Sequence, residues 1–221
     1  MIRTAIRGFG ELLITLGLIV LLFAAYEVYG KSFQVNAEQG RLDNALDEQW
    51  NVPAVPGGAP GGASPVADKP IPGAGVARLY IPRLGKQWVV VEGVELKDIK
   101  LAPGHYPESQ MPGEVGNFAV AGHRMPSVFW NLDKMENGDT IVAETRTGWF
   151  VYKVGKVHII KPSQVSVKAA NPDQPGTRPT RKLLTITTCN PKWDNYQRLV
   201  VQAELDRAQP KTAGRPAELG E

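Results

Sequence analysis

The sequence predicts an all-β domain, a closed eight-stranded barrel, placed behind an N-terminal membrane helix and a flexible stalk. Three observations support this. Runs rich in β-branched and aromatic residues succeed one another: "VARLYIPRL", "QWVVVEG", "NFAVAG", "DTIVAET", "WFVYKVGKVHII", "KLLTITT" and "RLVVQAEL". Turn chemistry separates them at Gly85-Lys86, Asn137-Gly138-Asp139 and Thr147-Gly148. Helical pieces are few, a turn or two at 95–100 and another at 127–134. About eight short strands in about 130 residues suit a closed barrel, which leaves no strand edge open to another chain.

The elements follow in chain order. "MIRTAIRGFG" carries Arg3 and Arg7 and no acid, and residues 12–25 are uncharged and almost wholly apolar. Taken from 8 to 26, the stretch matches the length of about 20 residues that a helix needs to cross a hydrocarbon core. Glu11 falls within a turn of the interface, where its carboxylate reaches the headgroups. The basic flank assigns the N-terminus to the cytoplasm and everything after about residue 27 to the outside. A cleaved signal peptide shares the basic start and apolar core. It needs small residues just after that core, where "FAAYEVYG" is bulky, and "VNA" at 35–37 comes too late. An uncleaved anchor is the better reading, and both export the body of the protein.

Leu42, Leu46 and Trp50 recur every four residues and mark one apolar face of a short helix, marginal by itself with Gly40 inside it. Residues 51–75 contain six Pro and six Gly, too little apolar surface to offset the entropy of ordering. They read as a flexible spacer. The expected organisation is an anchor at 1–30, a juxtamembrane segment and spacer at 31–75, a catalytic barrel at 76–206 and a frayed polar tail at 207–221.

The chemistry centres on Cys189, the only cysteine among 221 residues. It ends the β-branched run "TITT" and precedes Asn190-Pro191, so the thiol sits where a stiff strand meets a loop. A thiol at its reference pKa of about 8.5 is only a few per cent thiolate at neutral pH, so a nucleophilic role needs a base. Of three histidines, His158 lies inside a strand and reads as structural, and His105 lies in a Pro/Gly-rich loop. His123 follows an apolar strand and a glycine, a strand end like that of Cys189. Arg198 opens the last strand nine residues after Cys189. If the two strands pair across that loop, its guanidinium faces the same cleft and offers donors to an oxyanion.

These residues carry a resemblance. "TITTC", with Arg198 downstream and "AGHR" upstream, resembles the Thr-Leu-x-Thr-Cys signature of sortases, the cysteine transpeptidases of Gram-positive bacteria, with Ile186 in place of leucine. "PGHYPES" and "SVFWNLDKMENGD" extend the likeness over the whole domain, and "TTCNP" with the short Cys–Arg spacing is most similar to the class E sortases of actinobacteria. The resemblance implies a sortase-like barrel in which Cys189 attacks the Thr–Gly bond of a C-terminal LPxTG-like sorting signal, LAxTG in class E. His123 would serve as acid and base, Arg198 would hold the signal and the oxyanion, and Thr188 would add a substrate contact. The partners implied are secreted proteins bearing such signals and an amine acceptor from the cell-wall precursor. A pilin lysine is the alternative acceptor. No inhibitory lid motif precedes residue 76, which favours wall anchoring.

Other classes fit less well. The Ser-x-Gly-Cys pattern of L,D-transpeptidases is absent, since Thr187 and Thr188 precede Cys189. A plain cysteine peptidase would release acid instead of transferring to an amine. A tethered binding module would use Cys189 for intermolecular pairing. A net charge of +3 without a basic cluster gives no case for nucleic acid. Three scattered histidines and one cysteine give none for a metal, and no cofactor is expected.

Overall fold

The computed structural model describes residues 2–51 and 70–220, so most of the Pro/Gly-rich spacer lies outside the described residues. The apolar stretch and the amphipathic segment after it form one helix, α1 (Ile2–Asn51). Its large apolar side chains from Leu12 to Tyr26 are exposed, and the helix is long and apolar enough to cross a membrane.

The second half of α1 carries the apolar face of Leu42 and Leu46 and finds its partner in the barrel. Leu42 and Leu46 are buried against Val89, Val91 and Ala102 of the barrel, and Val35 joins the main core. The Val89 amide donates to Gln39 Oε1 at 2.7 Å, and Arg78 holds Asp43 and, at 2.7 Å, Asp47. A short helix marginal in isolation gains its stability from such tertiary contacts.

Eight strands follow: β1 (Gly75–Ile81), β2 (Lys86–Glu92), β3 (Gly104–His105), β4 (Gly116–Ala121), β5 (Thr140–Glu144), β6 (Gly148–Ile160), β7 (Lys182–Asn190) and β8 (Gln197–Pro210). They close into a barrel in the order β1-β2-β3-β4-β7-β8-β6-β5. Most pairs are antiparallel, but β2–β3 and β4–β7 run parallel. Phe118, Phe129, Tyr152, Leu184 and Ile186 fill the interior. The helical turns expected at 95–100 and 127–134 reduce to hydrogen-bonded turns and a 3-10 turn at Leu132–Lys134.

The two-residue strand β3 was not foreseen, because so short a run carries no periodicity. It moves His105 from the expected loop into the wall of the barrel. There His105 is buried, with Nδ1 2.7 Å from Glu92 Oε2, Nε2 2.9 Å from Ser109 Oγ, and its ring stacked on Phe118. Such a ring has no access to substrate.

The C-terminal end is ordered beyond the expected limit at residue 206, since β8 continues to Pro210. The segment after it folds back, and Arg207 Nη2 donates to Glu218 Oε2 at 2.7 Å. The hydrogen bonds from Arg207 hold the Glu218 carboxyl down at about 2, from an ordinary 4.5. A carboxyl depressed on folding stabilises above its unfolded pKa, and that contribution fades as pH falls through the folded value. The contact is therefore expected to weaken between pH 4.5 and about 2. Protection of the Leu219 and Gly220 amides, taken against their intrinsic exchange rates at each pH, should fall over this window, and Glu218→Gln should remove that pH dependence.

Candidate active site

The strand pairing decides which residues meet. Strands β7 and β8 are antiparallel, and their register sets Cys189 directly opposite Arg198. Strands β4 and β7 are parallel with Ala121 beside Thr187. The Gly122 amide continues this pairing by donating to the Thr187 carbonyl at 3.1 Å. These pairings set the chain leading into His123 alongside the strand that ends in Cys189.

Alternation then selects the face. Phe118 and Val120 on β4, Leu184 and Ile186 on β7, and Leu199 and Val201 on β8 all belong to the interior core. Side chains of a strand alternate between its faces, so the opposed pair Cys189 and Arg198 share the outer face, while His123 lies in the loop that follows β4. Cys189 and His123 are half-buried, and among the described residues neither side chain makes a hydrogen bond. The Arg198 guanidinium donates from Nη1 to the carbonyls of Asn195, at 2.6 Å, and Gln197, at 2.8 Å, within its own loop. Cys189 and Arg198 are neighbours by register, and among the described residues the three side chains are not hydrogen-bonded to one another. Catalytic contacts commonly tighten only in the substrate complex.

Thr188 falls on the other face. It is buried, and its hydroxyl donates to the Gly122 carbonyl at 2.8 Å. The resemblance implied a substrate contact for Thr188, and in this structure its hydroxyl faces inward. The inner-face hydroxyl is already used, and it ties the His123 loop to the strand bearing Cys189. His158 does share the outer face through its pairing with Val200. Its Nδ1 is buried without a partner among the described residues, and burial followed by the charge of Lys156 pushes its pKa down.

A residue the sequence reading did not single out holds the site together. Arg124, next to His123, is buried. Its Nη1 donates to the Cys189 carbonyl at 3.2 Å and to Asn190 Oδ1 at 3.1 Å. Its Nε donates to the Trp130 carbonyl at 3.1 Å, and its Nη2 lies 2.9 Å from Asp133 Oδ1. One planar fork thus joins the loop after His123 to the end of the strand that bears Cys189. The one sequence signal for it was the arginine directly after His123, with Asp133 within reach of a turn.

The outer face is walled on one side. Asn117 Nδ2 donates to the carbonyls of Val167 and Ala169, both at 3.0 Å, and draws the β6–β7 loop over β4. A cleft of about 190 Å³ lies toward the opposite end of β7 from Cys189, lined by Leu183, Thr185 and Gln202 and by Asp173 and Arg181. A half-exposed thiol at the head of a walled strand face can accept an extended peptide and attack one of its carbonyls.

Gly122 matters because the site is tight. A Cβ there would stand 2.6 Å from Cε2 of the buried Phe129 ring, and Val128 crowds it as well. Gly122→Ala should displace the His123 loop and lower kcat about 10²-fold, the scale of a 1 Å misplacement. Steady-state kinetics beside a thermal melt checks this, and an unchanged kcat would show that the loop absorbs the methyl group.

Comparison with known proteins identifies a family. A family described as the sortase domain matches residues 79–206. The sortase SrtE1 of Streptomyces coelicolor is 33% identical over 222 residues, which cover 96% of this chain and 60% of that protein. The chain therefore spans less than two thirds of the length of that relative. The SrtA sortase from Actinomyces oris superposes with a TM-score of 0.64 at 32% identity, over 70% of this chain and 96% of the other. Sortase E1 from Streptomyces coelicolor, solved with a tripeptide in its active site, gives a TM-score of 0.62 at 35% identity, over 67% of this chain and 98% of the other.

Proposed function

The chain belongs to the sortase family of cysteine transpeptidases, and from that premise we infer that it joins exported proteins to a cell-wall amine, with Cys189 as nucleophile. The observation that supports this reading most is the register that sets Cys189 opposite Arg198 at the end of β7, with β4, the strand that leads to His123, paired beside it.

In this reading a C-terminal signal of LAxTG or LPxTG type lies extended along the outer face. The Cys189 sulfur attacks the carbonyl carbon of the Thr–Gly bond, and negative charge builds on the carbonyl oxygen. Arg198 leaves its loop carbonyls and donates to that oxyanion. His123, holding the proton taken from the thiol, passes it to the departing glycine amine as the C–N bond breaks. A thioester on Cys189 remains. An incoming amine of the cell-wall precursor gives its proton to His123, attacks the thioester and releases the thiol. The new amide bond replaces the old one, and no redox partner is needed.

The apolar half of α1 is read as a membrane anchor, with Arg3 and Arg7 on the cytoplasmic side and the barrel outside. Residues 76–206 would form the catalytic unit.

The test is incubation of the protein with fluorogenic LAxTG and LPxTG peptides, with and without an amine acceptor. Cleavage that turns into amide product when the amine is added is the expected result. Cleavage to free acid regardless of amine would make it a peptidase, and no cleavage of either peptide would sink the reading. Arg198→Lys keeps the charge but loses the fork, and kcat should fall about 10²-fold, as for loss of one oxyanion donor. An unchanged kcat would remove Arg198 from the mechanism.

A further inference from the structure

We propose that the exposed aromatic tip of the β7–β8 loop, Trp193 with Tyr196, is a bilayer-contact surface that seats the Cys189 rim of the barrel on the lipid headgroups. The proposal rests on reading the apolar half of α1 as a membrane anchor.

The direction of α1 carries the argument. Its end lies by the rim far from Cys189: Trp50 is 4.9 Å from the Lys211 ammonium, just past Pro210, which pairs with Gly148 at the closing end of the barrel. Its middle lies nearer the Cys189 rim. Gln39 bonds to Val89 and Leu101, and the neighbouring Trp88 indole donates at 2.9 Å to the Ser127 carbonyl, in the loop that carries His123. Traced backwards from Trp50 to Gln39, the docked helix climbs from the far rim toward the catalytic one. At 1.5 Å per residue, Tyr26 lies about 20 Å further in the same sense. The membrane-spanning part therefore leaves the protein on the side of Cys189.

The β7–β8 loop projects from that same rim, between Cys189 and Arg198. Trp193 is 89% exposed and Tyr196 60% exposed. Trp193 is nonetheless held, edge-on against Trp130 at 4.9 Å, while Lys192 lies over Trp130 and 3.3 Å from Asp133. A held indole and an exposed phenol beside it suit the membrane–water interface, where one part of each ring is apolar and the other wet. The tip carries one base, Lys192, and one acid, Asp194, so its attraction to lipid comes from the rings and should depend little on anionic lipid. Docked this way, the thiol works close to the bilayer surface and favours peptides and amine acceptors that are themselves membrane-bound.

The full-length chain in phosphatidylcholine vesicles tests this, with Cys189→Ala as background and Asn195→Cys carrying an environment-sensitive fluorophore. Asn195 is exposed at the tip, and its replacement leaves both aromatic rings in place. Ala213→Cys, exposed near the far rim, is the reference. The expected result is a blue-shifted probe at 195 that loses most of its emission to lipids brominated near the headgroup. The probe at 213 should keep its emission, and Trp193→Ser with Tyr196→Ser should return the probe at 195 to water. Protein that floats with the vesicles while the two probes respond alike overturns the proposal. So does a shift at 195 that appears only on adding LAxTG peptide, since the tip would then be a peptide contact. Failure of the chain to float would instead refute the anchor reading, and the proposal with it.

Discussion

Cys189→Ala is expected to abolish both cleavage and amide transfer, lowering kcat at least about 10³-fold, while the barrel melts at nearly the same temperature. Cys189 is half-buried and its side chain makes no hydrogen bond among the described residues, so removing the sulfur leaves no polar group stranded. Its backbone pairing with Arg198 and the Arg124 contact to its carbonyl are untouched. The loss should therefore be purely chemical. Mass spectrometry makes the test direct: with peptide and no amine, the wild-type protein should gain the mass of an acyl fragment and the variant should not. Residual transfer by Cys189→Ala would refute the thioester route.

Arg124→Met should be nearly as damaging, but through position. Arg124 touches no reacting atom in the proposed mechanism. Its fork joins the Cys189 carbonyl and Asn190 at the end of β7 to the Trp130 carbonyl and Asp133. Methionine fills the space but strands those acceptors, at a stability loss of about 2–4 kcal/mol after partial rehydration. With the rim loosened, kcat is expected to fall about 10²-fold with little change in KM. Arg124→Lys retains the pair with Asp133 and should recover part of the stability but little of the rate, because an ammonium cannot span both segments. Kinetics well below the melting temperature separate the two effects, and a full rate in Arg124→Met would leave Arg124 a structural role alone.

Much of the barrel could be read from local pattern. Each run of β-branched residues became a strand, because a strand's period of two and its turn residues are written into neighbouring positions. The candidate site could be read in part for the same reason, since Cys189, His123 and Arg198 each stand at a visible strand end. The two-residue β3 could not, and with it went the place of His105. Nor could the task of Thr188, whose face depends on the strand phase counted from the core.

What the sequence by itself determined is the set of elements and the reactive groups: an apolar helix, a succession of strands, one thiol and a histidine at a strand end. The tertiary structure decided how these are joined. The parallel pairing of β4 with β7 set Ala121 beside Thr187, 66 residues away along the chain, and no local signal specifies a partner that distant. Packing also turned Leu42 and Leu46 from a marginal face into a seat for the barrel, and made Arg124 a clamp. The physical reason is that propensity acts between near neighbours, whereas register, burial and a fork's hydrogen bonds exist only once remote segments have closed on one another.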